Sequence, residues 1–193
     1  MSSQIITLKK RIVLVILFCL AFTSFILLFS YQATLFFFPL TTAQENTLHF
    51  LQGKEQLQIE YTEQEMSHLQ DVAMMMKILD YILYITFVVS IVILIYSRKE
   101  IRQLLFYGGM TILTVVFLIV ISILTNFATL FTLFHQLFFP QGNWQFPVGS
   151  ALLQVFPLSF FVTFSRFMFL PAIVIALLCF IVSFFLKKKV LSS

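Results

Sequence analysis

Histidine is the side chain in this sequence that is best suited to moving protons near neutral pH. The chain contains three of them, His49, His68 and His135. Two imidazoles could divide an acid–base reaction, one removing a proton from a nucleophile while the other protonates a leaving group. Asp71 lies three residues after His68, so on a helix the two share a face and the carboxylate could orient the imidazole. The sequence favours an ordinary polar role for His49, whereas for His68 and His135 a structural and a catalytic role both stay open.

Other kinds of reaction have weaker support. No G-x-S-x-G segment is present, and both cysteines lie inside apolar segments, so an activated serine or cysteine nucleophile is not indicated. H-E-x-x-H is also absent, and the histidines have no acidic ligand cluster beside them. A bis-histidine haem would need both ligands in the core of a helix bundle rather than at its rim. We therefore expect neither a metal nor a cofactor.

The composition places these residues in a membrane protein. Of the 193 residues 60% are hydrophobic and 10% are charged, and the mean hydropathy is +1.00. Soluble domains are about 45–50% apolar and about 25% charged, so a water-soluble globular protein is excluded. Charge-free apolar segments at about 12–30, 78–97, 104–125 and 167–186 are each long enough to cross a bilayer as a helix. The sequence predicts an all-α integral membrane protein with four transmembrane helices, and residues 1–193 as a single domain.

The basic residues indicate the orientation of these helices. Nine of the twelve Lys and Arg residues lie in three clusters that flank the apolar segments. The positive-inside rule places such clusters in the cytoplasm, and with them both termini. Residues of about 31–77 and 126–166 are then extracellular, and the net charge of +4 needs no nucleic-acid partner. The clusters are Lys9, Lys10 and Arg11; Arg98, Lys99 and Arg102; and Lys187, Lys188 and Lys189.

The two extracellular segments differ in sequence. In the first, residues 48–51 and 57–61 flank a Gly-Lys turn, a pattern typical of a short β-hairpin. Thr62 and Glu65 match a capping box, so we expect a helix to begin there and to continue into the second apolar segment. The second is rich in aromatic residues and interrupted by proline and glycine, which predicts an aromatic loop at the membrane interface. The predicted fold is therefore four transmembrane helices with a small extracellular α/β cap and this interfacial loop.

Three motifs in this order resemble a known family. The first is the run from Thr62 to Val72, which contains His68-Leu69-Gln70-Asp71-Val72. The second runs from Phe134 to Phe139 with Trp144 nine residues after His135, and the third is Pro157 followed by Phe160-Phe161. Together with four apolar segments they resemble the lipoprotein intramolecular transacylases. Around Trp144 the sequence departs from the polar or acidic residues expected for that family.

The resemblance implies a membrane acyltransferase of the bacterial plasma membrane, with its active site at the extracellular face. Its substrate would be a diacylglyceryl-modified lipoprotein, and it would move the sn-2 acyl chain to the α-amino group of the N-terminal cysteine, giving the lyso form. His135 would act as base and His68, oriented by Asp71, as acid, although the two roles could be exchanged. The group that stabilises the oxyanion is left open between Ser67, Asn143 and a backbone N–H.

Aromatic side chains would bind the substrate and exclude water from the reacting ester. These are Phe138, Phe139, Trp144 and Phe161. Anchoring at the lipid interface is an alternative role for each of them. The alternative function is a non-catalytic membrane subunit or a small-solute channel, in which the histidines are interfacial polar residues. Apart from contact with membrane lipids, the sequence does not indicate an oligomeric state.

Overall fold

The computed structural model describes residues 2–186, with side chains from Lys9 onward. Over this range the chain is helical and contains no β-strand. A short 3-10 helix at Arg98–Glu100 joins the third and fourth α-helices. The α-helices in chain order are α1 (Ser2–Phe37), α2 (Thr42–Leu51), α3 (Glu63–Tyr96), α4 (Ile101–Phe138), α5 (Ala151–Val155) and α6 (Leu158–Phe185).

Four helical stretches of the described chain are long and apolar enough to cross a membrane. Their lengths of 29, 34, 41 and 28 residues exceed the roughly 20 residues that the hydrocarbon core requires. The predicted all-α membrane architecture with four such helices is therefore confirmed. The third basic cluster, Lys187 to Lys189, lies outside the described residues. The four stretches are Lys9–Phe37, Glu63–Tyr96, Arg98–Phe138 and Leu158–Phe185.

The predicted β-hairpin is wrong. Residues 48–51 form the last turn of α2, and a capping box between Thr41 and Gln44 begins this helix. The extended residues that follow do not pair with a strand, because the side chain of Asn46 satisfies their backbone. Its amide donates to the carbonyl of Gln56 at 3.0 Å and accepts from the N–H of Gln58 at 2.9 Å. A side chain therefore makes the hydrogen bonds that the prediction assigned to a neighbouring strand.

The predicted aromatic loop also needs correction. The irregular part between α4 and α5 covers only residues 139–150, and most of the phenylalanines belong to helices. The reason is that the helix-breaking residues cluster between Pro140 and Gly149, so they end α4 but leave the aromatic residues before and after them helical. The helical ones are Phe131, Phe134 and Phe138 on α4 and Phe160, Phe161 and Phe164 on α6.

The described residues divide into two compact units. The first unit comprises residues 2–33, 81–118 and 168–186, and two adjacent glycines of α4 allow its helices to pack closely. A Cβ atom on Gly108 would lie 3.0 Å from the rings of Phe18 and Phe22, and one on Gly109 would lie 3.0 Å from the carbonyl of Ala176. Small residues at such contacts are typical of helix packing in membranes, where backbones must approach closely.

The second unit comprises residues 34–80 and 119–167, and it has an apolar core of its own. The buried members of this core come from α2, α3 and the α5 region, and they are Leu51, Leu69, Leu152 and Phe156. Beside it, the hydroxyl groups of Tyr61 and Thr47 are hydrogen-bonded at 2.8 Å, and burial raises the pKa of the Tyr61 phenol. The short helices α2 and α5 are therefore packed onto the beginning of α3.

A buried carboxylate joins these elements. Glu65 is 1% exposed, and it completes the predicted capping box by accepting from the N–H and the hydroxyl of Thr62 at 2.8 and 2.9 Å. Its second oxygen accepts from the N–H of Leu152 in α5 at 2.8 Å. One carboxylate thus stabilises both the start of α3 and the position of α5, 87 residues away in sequence. The predicted helix start at Thr62 agrees with this geometry.

Replacing Glu65 by alanine should destabilise the second unit. The variant loses three hydrogen bonds and leaves the Leu152 N–H buried without a partner, which costs about 1–3 kcal/mol. We expect E65A to lower the free energy of unfolding by at least this amount, measured by denaturant titration in detergent micelles with Trp144 fluorescence as the signal. The matched control is E63A, which removes an exposed carboxylate from the same helical turn. An equal loss of stability in both variants would contradict the role of Glu65.

Candidate active site

Two buried histidines lie side by side in the second unit. His68 is in the second turn of α3 and is 6% exposed, and His135 is near the end of α4 and is 7% exposed. Their ring centroids are 5.8 Å apart. The structure therefore brings together two imidazoles that are 67 residues apart in sequence, in a setting with little contact to bulk water. Two imidazolium ions at this separation would repel each other, so the pair can exchange one proton far more easily than it can hold two.

A kink in α4 sets the direction of the segment that carries His135. At Asn126 the backbone leaves the helical conformation, with φ −159° and ψ 76°. The Asn126 side chain accepts from the N–H of Thr129 at 3.1 Å, which caps the helical segment that follows. The kink coincides with the predicted end of the third apolar segment at residue 125, and the helix continues beyond it to Phe138.

The hydrogen bond of His135 determines which of its nitrogens carries the proton. Its Nδ1 lies 2.8 Å from the carbonyl oxygen of Phe131, one helical turn earlier. A carbonyl oxygen only accepts hydrogen bonds, so Nδ1 must be the donor. In the neutral ring Nε2 is then unprotonated and can accept a proton. His135 has the tautomer that a general base requires.

Aromatic rings surround both imidazoles. Phe139 is 3% exposed, and its ring centroid lies 4.9 Å from that of His68 and 5.6 Å from that of His135. Trp144 lies 5.0 Å from His135, and Phe146 lies 5.6 Å from His68. These rings leave little room for water beside the histidines. These aromatic side chains are uncharged and cannot replace the histidines as proton carriers.

The hydrogen bonds of Asp71 go to the loop after α4. One carboxylate oxygen accepts from the side-chain amides of Gln141 and Asn143, each at 2.6 Å. The Asn143 amide also donates to the hydroxyl of Ser67 at 3.1 Å. Among the described residues the Nδ1 atom of His68 has no hydrogen-bond partner, although Asp71 acts on this ring through its charge. The predicted orientation of His68 by Asp71 is therefore not a direct hydrogen bond.

The remaining predicted site residues lie at different distances from the histidine pair. The ring centroid of Phe161 lies 5.4 Å from that of Phe131, which in turn lies 4.0 Å from that of His135. Phe131 therefore connects Phe161 to the histidine pair. Phe138 is 42% exposed and packs on Phe134 at 4.8 Å. Phe138 thus faces the surroundings of the protein rather than the imidazoles.

The imidazole of His49 contacts a surface carboxylate. Its Nδ1 lies 3.0 Å from a carboxylate oxygen of Glu55 at the exposed surface. The hydrogen bonds of this carboxylate with His49 and Asn46 lower the pKa of Glu55. In the described part of the chain, no group of three or more His, Cys, Asp or Glu side chains could hold a metal ion.

Sequence reasoning missed several aromatic neighbours of the histidine pair, including Phe131 and Phe146. Phe131 lies four residues before His135, so the i, i+4 spacing on a helix could have identified it as a neighbour of that ring. Phe146 belongs to the irregular segment between Pro140 and Gly149, and no sequence pattern predicts which way its side chain points. Both residues complete the aromatic surroundings of the histidine pair.

The fold and the site define an all-helical integral membrane protein with a buried pair of imidazoles. The sequence model described as lipoprotein intramolecular transacylase Lit matches residues 5–161. The chain belongs to this family, and the resemblance found in its motifs is confirmed. No curated protein sequence matches the chain significantly.

Two solved structures share this fold. One is an in meso structure of the membrane integral lipoprotein intramolecular transacylase Lit from Bacillus cereus, with a TM-score of 0.77 and 16% sequence identity. This alignment covers 90% of the present chain and 94% of the other. The second is a histidine-to-arginine variant of the same Bacillus cereus protein, with a TM-score of 0.76, 16% identity and 95% coverage of both chains. At this identity the likeness shows a common fold.

The contact between Trp144 and His135 can be tested by fluorescence. Trp144 is the one tryptophan of the sequence, and its ring centroid lies 5.0 Å from that of His135. A protonated imidazole beside an indole ring interacts with its π-system and quenches its emission. We expect the fluorescence in detergent micelles to fall as the pH is lowered, and this decrease to disappear in H135F. H49A should behave like the wild type, and a pH-dependent decrease that persists in H135F would contradict this placement.

Proposed function

We propose that the protein is an intramolecular transacylase acting on diacylglyceryl-modified lipoproteins. It moves the sn-2 acyl chain of the diacylglyceryl group to the α-amino group of the N-terminal cysteine, forming the lyso form. The observation that carries the proposal is the pair of buried imidazoles 5.8 Å apart in a chain of the Lit family. Donor ester and acceptor amine belong to one substrate molecule, so no covalent acyl-enzyme and no cofactor are required.

The proposed location is the bacterial plasma membrane, with both termini in the cytoplasm and the active site at the extracellular face. The basic residues support this orientation, because the cluster from Lys9 to Arg11 precedes the first predicted transmembrane segment and the cluster from Arg98 to Arg102 separates the second from the third. Both histidines then belong to the predicted extracellular segments at about 31–77 and 126–166. Lipid-modified substrates anchored in the outer leaflet would reach the site directly from the membrane.

In the first step His135 acts as the base. Its Nε2 is unprotonated because Nδ1 donates to Phe131, so Nε2 can remove a proton from the α-amino group. The neutral amine nitrogen gives up this proton as it attacks the carbonyl carbon of the sn-2 ester and forms a tetrahedral intermediate. The attack is unimolecular, and correct orientation of the two groups can contribute about 7–11 kcal/mol to lowering the barrier.

In the second step His68 acts as the acid. The proton that His135 took up passes to Nε2 of His68, and the departing oxygen takes it from there as the bond between the carbonyl carbon and the sn-2 oxygen breaks. The amine nitrogen and the leaving oxygen are bonded to the same carbon, so both lie within hydrogen-bond reach of two imidazoles at this separation. Both imidazoles are then neutral again, which restores the starting state. The opposite assignment of base and acid remains the alternative.

Aromatic residues keep water away from the reacting ester. Phe139 and Trp144 contact the imidazoles directly, and Phe161 supports Phe131 behind His135. Phe138 is exposed and would contact the acyl chains of the bound substrate. Excluding water matters because a water molecule in place of the amine would hydrolyse the ester.

Removing either imidazole should abolish the transfer. A positioned general acid or base contributes roughly 10²–10⁴-fold to a rate, so we expect H68A and H135A each to lose at least roughly a hundredfold. The double variant should lose little more than either single variant, because the two groups act as a unit. The measurement is mass spectrometry of the N-terminus of a lipoprotein co-expressed with the enzyme. H49A is the matched control and should give the wild-type product, and lyso-form product at the wild-type rate in both H68A and H135A would refute the proposal.

Removing an aromatic ring beside the histidines should change which product is formed, and not only the reaction rate. In F139A water can reach the ester beside His68, so we expect a larger share of hydrolysed substrate that has lost the sn-2 chain without gaining an N-acyl chain. The control is F36A, which truncates a phenylalanine of α1 that is 81% exposed. The ratio of hydrolysed to transferred product is read from the same mass spectra. The same ratio in F139A and in the wild type would exclude a water-excluding role for Phe139.

A further inference from the structure

The Asn143 side chain lies beside the part of α3 that carries His68. Its amide nitrogen is 2.6 Å from Asp71 and 3.1 Å from the hydroxyl of Ser67. His68 lies between these two residues on α3, and the Asn143 side chain acts on the electrostatics of its ring. One short side chain of the loop after α4 therefore makes hydrogen bonds with two residues of α3 that flank His68, 72 and 76 residues away in sequence.

The Asp71 carboxylate determines the orientation of the Asn143 side-chain amide. A carboxylate oxygen only accepts hydrogen bonds, so the amide nitrogen rather than its oxygen must face Asp71. Both protons of this nitrogen are then used, one by Asp71 and one by Ser67. Asn143 therefore has no free N–H with which to stabilise an oxyanion.

Two buried atoms of this cluster complement each other. Among the described residues, Oδ1 of Asn143 and Nδ1 of His68 are both buried without a hydrogen-bond partner. Oδ1 is an acceptor, and Nδ1 is a donor when it carries the proton of the neutral ring or of the imidazolium. An unpaired buried polar group costs about 1–3 kcal/mol, and a hydrogen bond between these two atoms would remove this cost for both.

We propose that Asn143 is the positioning residue of His68. After a small rotation of this side chain, its Oδ1 accepts a hydrogen bond from the Nδ1–H of His68, while Asp71 polarises the same amide from its other end. Nε2 of His68 is thereby directed to the substrate. The negative charge of Asp71 stabilises the imidazolium through the amide, as a carboxylate does in a direct pair with histidine. The assignment of a chemical role to His68 rests on the proposed function, whereas the hydrogen bond itself does not.

Nitrogen-15 NMR of the histidine rings tests the hydrogen bond. The chain has three histidines, so the imidazole signals of ¹⁵N-histidine-labelled protein in micelles can be assigned with H49A and H68A. Both without ligand and with a non-hydrolysable diacylglyceryl-cysteine peptide bound, we expect His68 in its Nδ1–H form in the wild type and a mixture of both tautomers in N143A. The signal of His135, held by Phe131, should stay unchanged and reports that N143A is folded. An unchanged His68 tautomer in folded N143A would overturn the proposal.

Kinetics separate positioning from a general effect on structure. We expect N143A to lower kcat roughly tenfold or more with little change in KM, because substrate binding does not depend on the tautomer. D71N should lose activity in the wild-type background and almost none further in N143A, since the charge acts through this amide. Additive losses would show that Asp71 acts independently and would overturn the proposal.

Gln141 provides the matched control. It donates to the same oxygen of Asp71 at 2.6 Å, and no contact joins it to His68 in the described structure. Q141A should therefore keep the wild-type tautomer of His68 and lose less activity than N143A, whereas an equal effect of both variants on the tautomer would overturn the proposal. If the wild-type enzyme gave no lyso-form product, the proposed function would fail, while the NMR experiment would still decide the Asn143–His68 contact.

Discussion

The carboxylate of Glu65 is the interaction on which the arrangement of the site depends. It is buried, and three donors from Thr62 and Leu152 surround its two oxygens. A buried carboxylate that lacked these donors would be strongly destabilising, so its burial selects a structure in which α5 and the start of α3 are both in place. His68 lies three residues after Glu65 on the same face of α3. The same carboxylate also fixes the end of the segment that contains Asn143, Trp144 and Phe146, because that segment leads directly into α5.

The aromatic surroundings of the histidine pair have two opposing effects. In the proposed reaction water would be a competing nucleophile that the aromatic rings exclude, but these rings offer few hydrogen bonds to the imidazoles. His135 makes its hydrogen bond with the carbonyl oxygen of Phe131, one turn earlier in the same helix. Nδ1 of His68 has no such partner among the described residues, and in our proposal Asn143 of the loop between α4 and α5 supplies it. The two imidazoles are therefore held in different ways, which is consistent with different roles in proton transfer.

The position of His135 also depends on a break in α4. A continuous helix from Ile101 to Phe138 would carry its last residues along one straight axis. The non-helical backbone at Asn126 changes that axis, and the Asn126 side chain caps the segment that follows. A polar residue at a helix break satisfies a backbone N–H that would otherwise lack a partner in an apolar region. Asn126, which begins the second helical segment of α4, thus contributes to the position of His135, nine residues later.

The sequence by itself determined the features that depend on composition and on short-range patterns. Charge-free segments of sufficient length imply helices in a membrane, since hydrocarbon leaves backbone groups no other partner. The capping box of Thr62 and Glu65 predicted the start of α3, because its hydrogen bonds join residues three apart. The motifs around His68 and His135 identified the family, as residue order within a motif requires no knowledge of the fold.

Only the tertiary structure decided which distant groups meet. The β-hairpin prediction failed because Asn46, on α2, satisfies the backbone that a strand partner would have satisfied. Asp71 was expected to orient His68 directly, yet its hydrogen bonds go to Gln141 and Asn143, about 70 residues further along the chain. The path of an irregular loop depends on many weak contacts made at once, and the spacing of residues in a sequence carries no information about them.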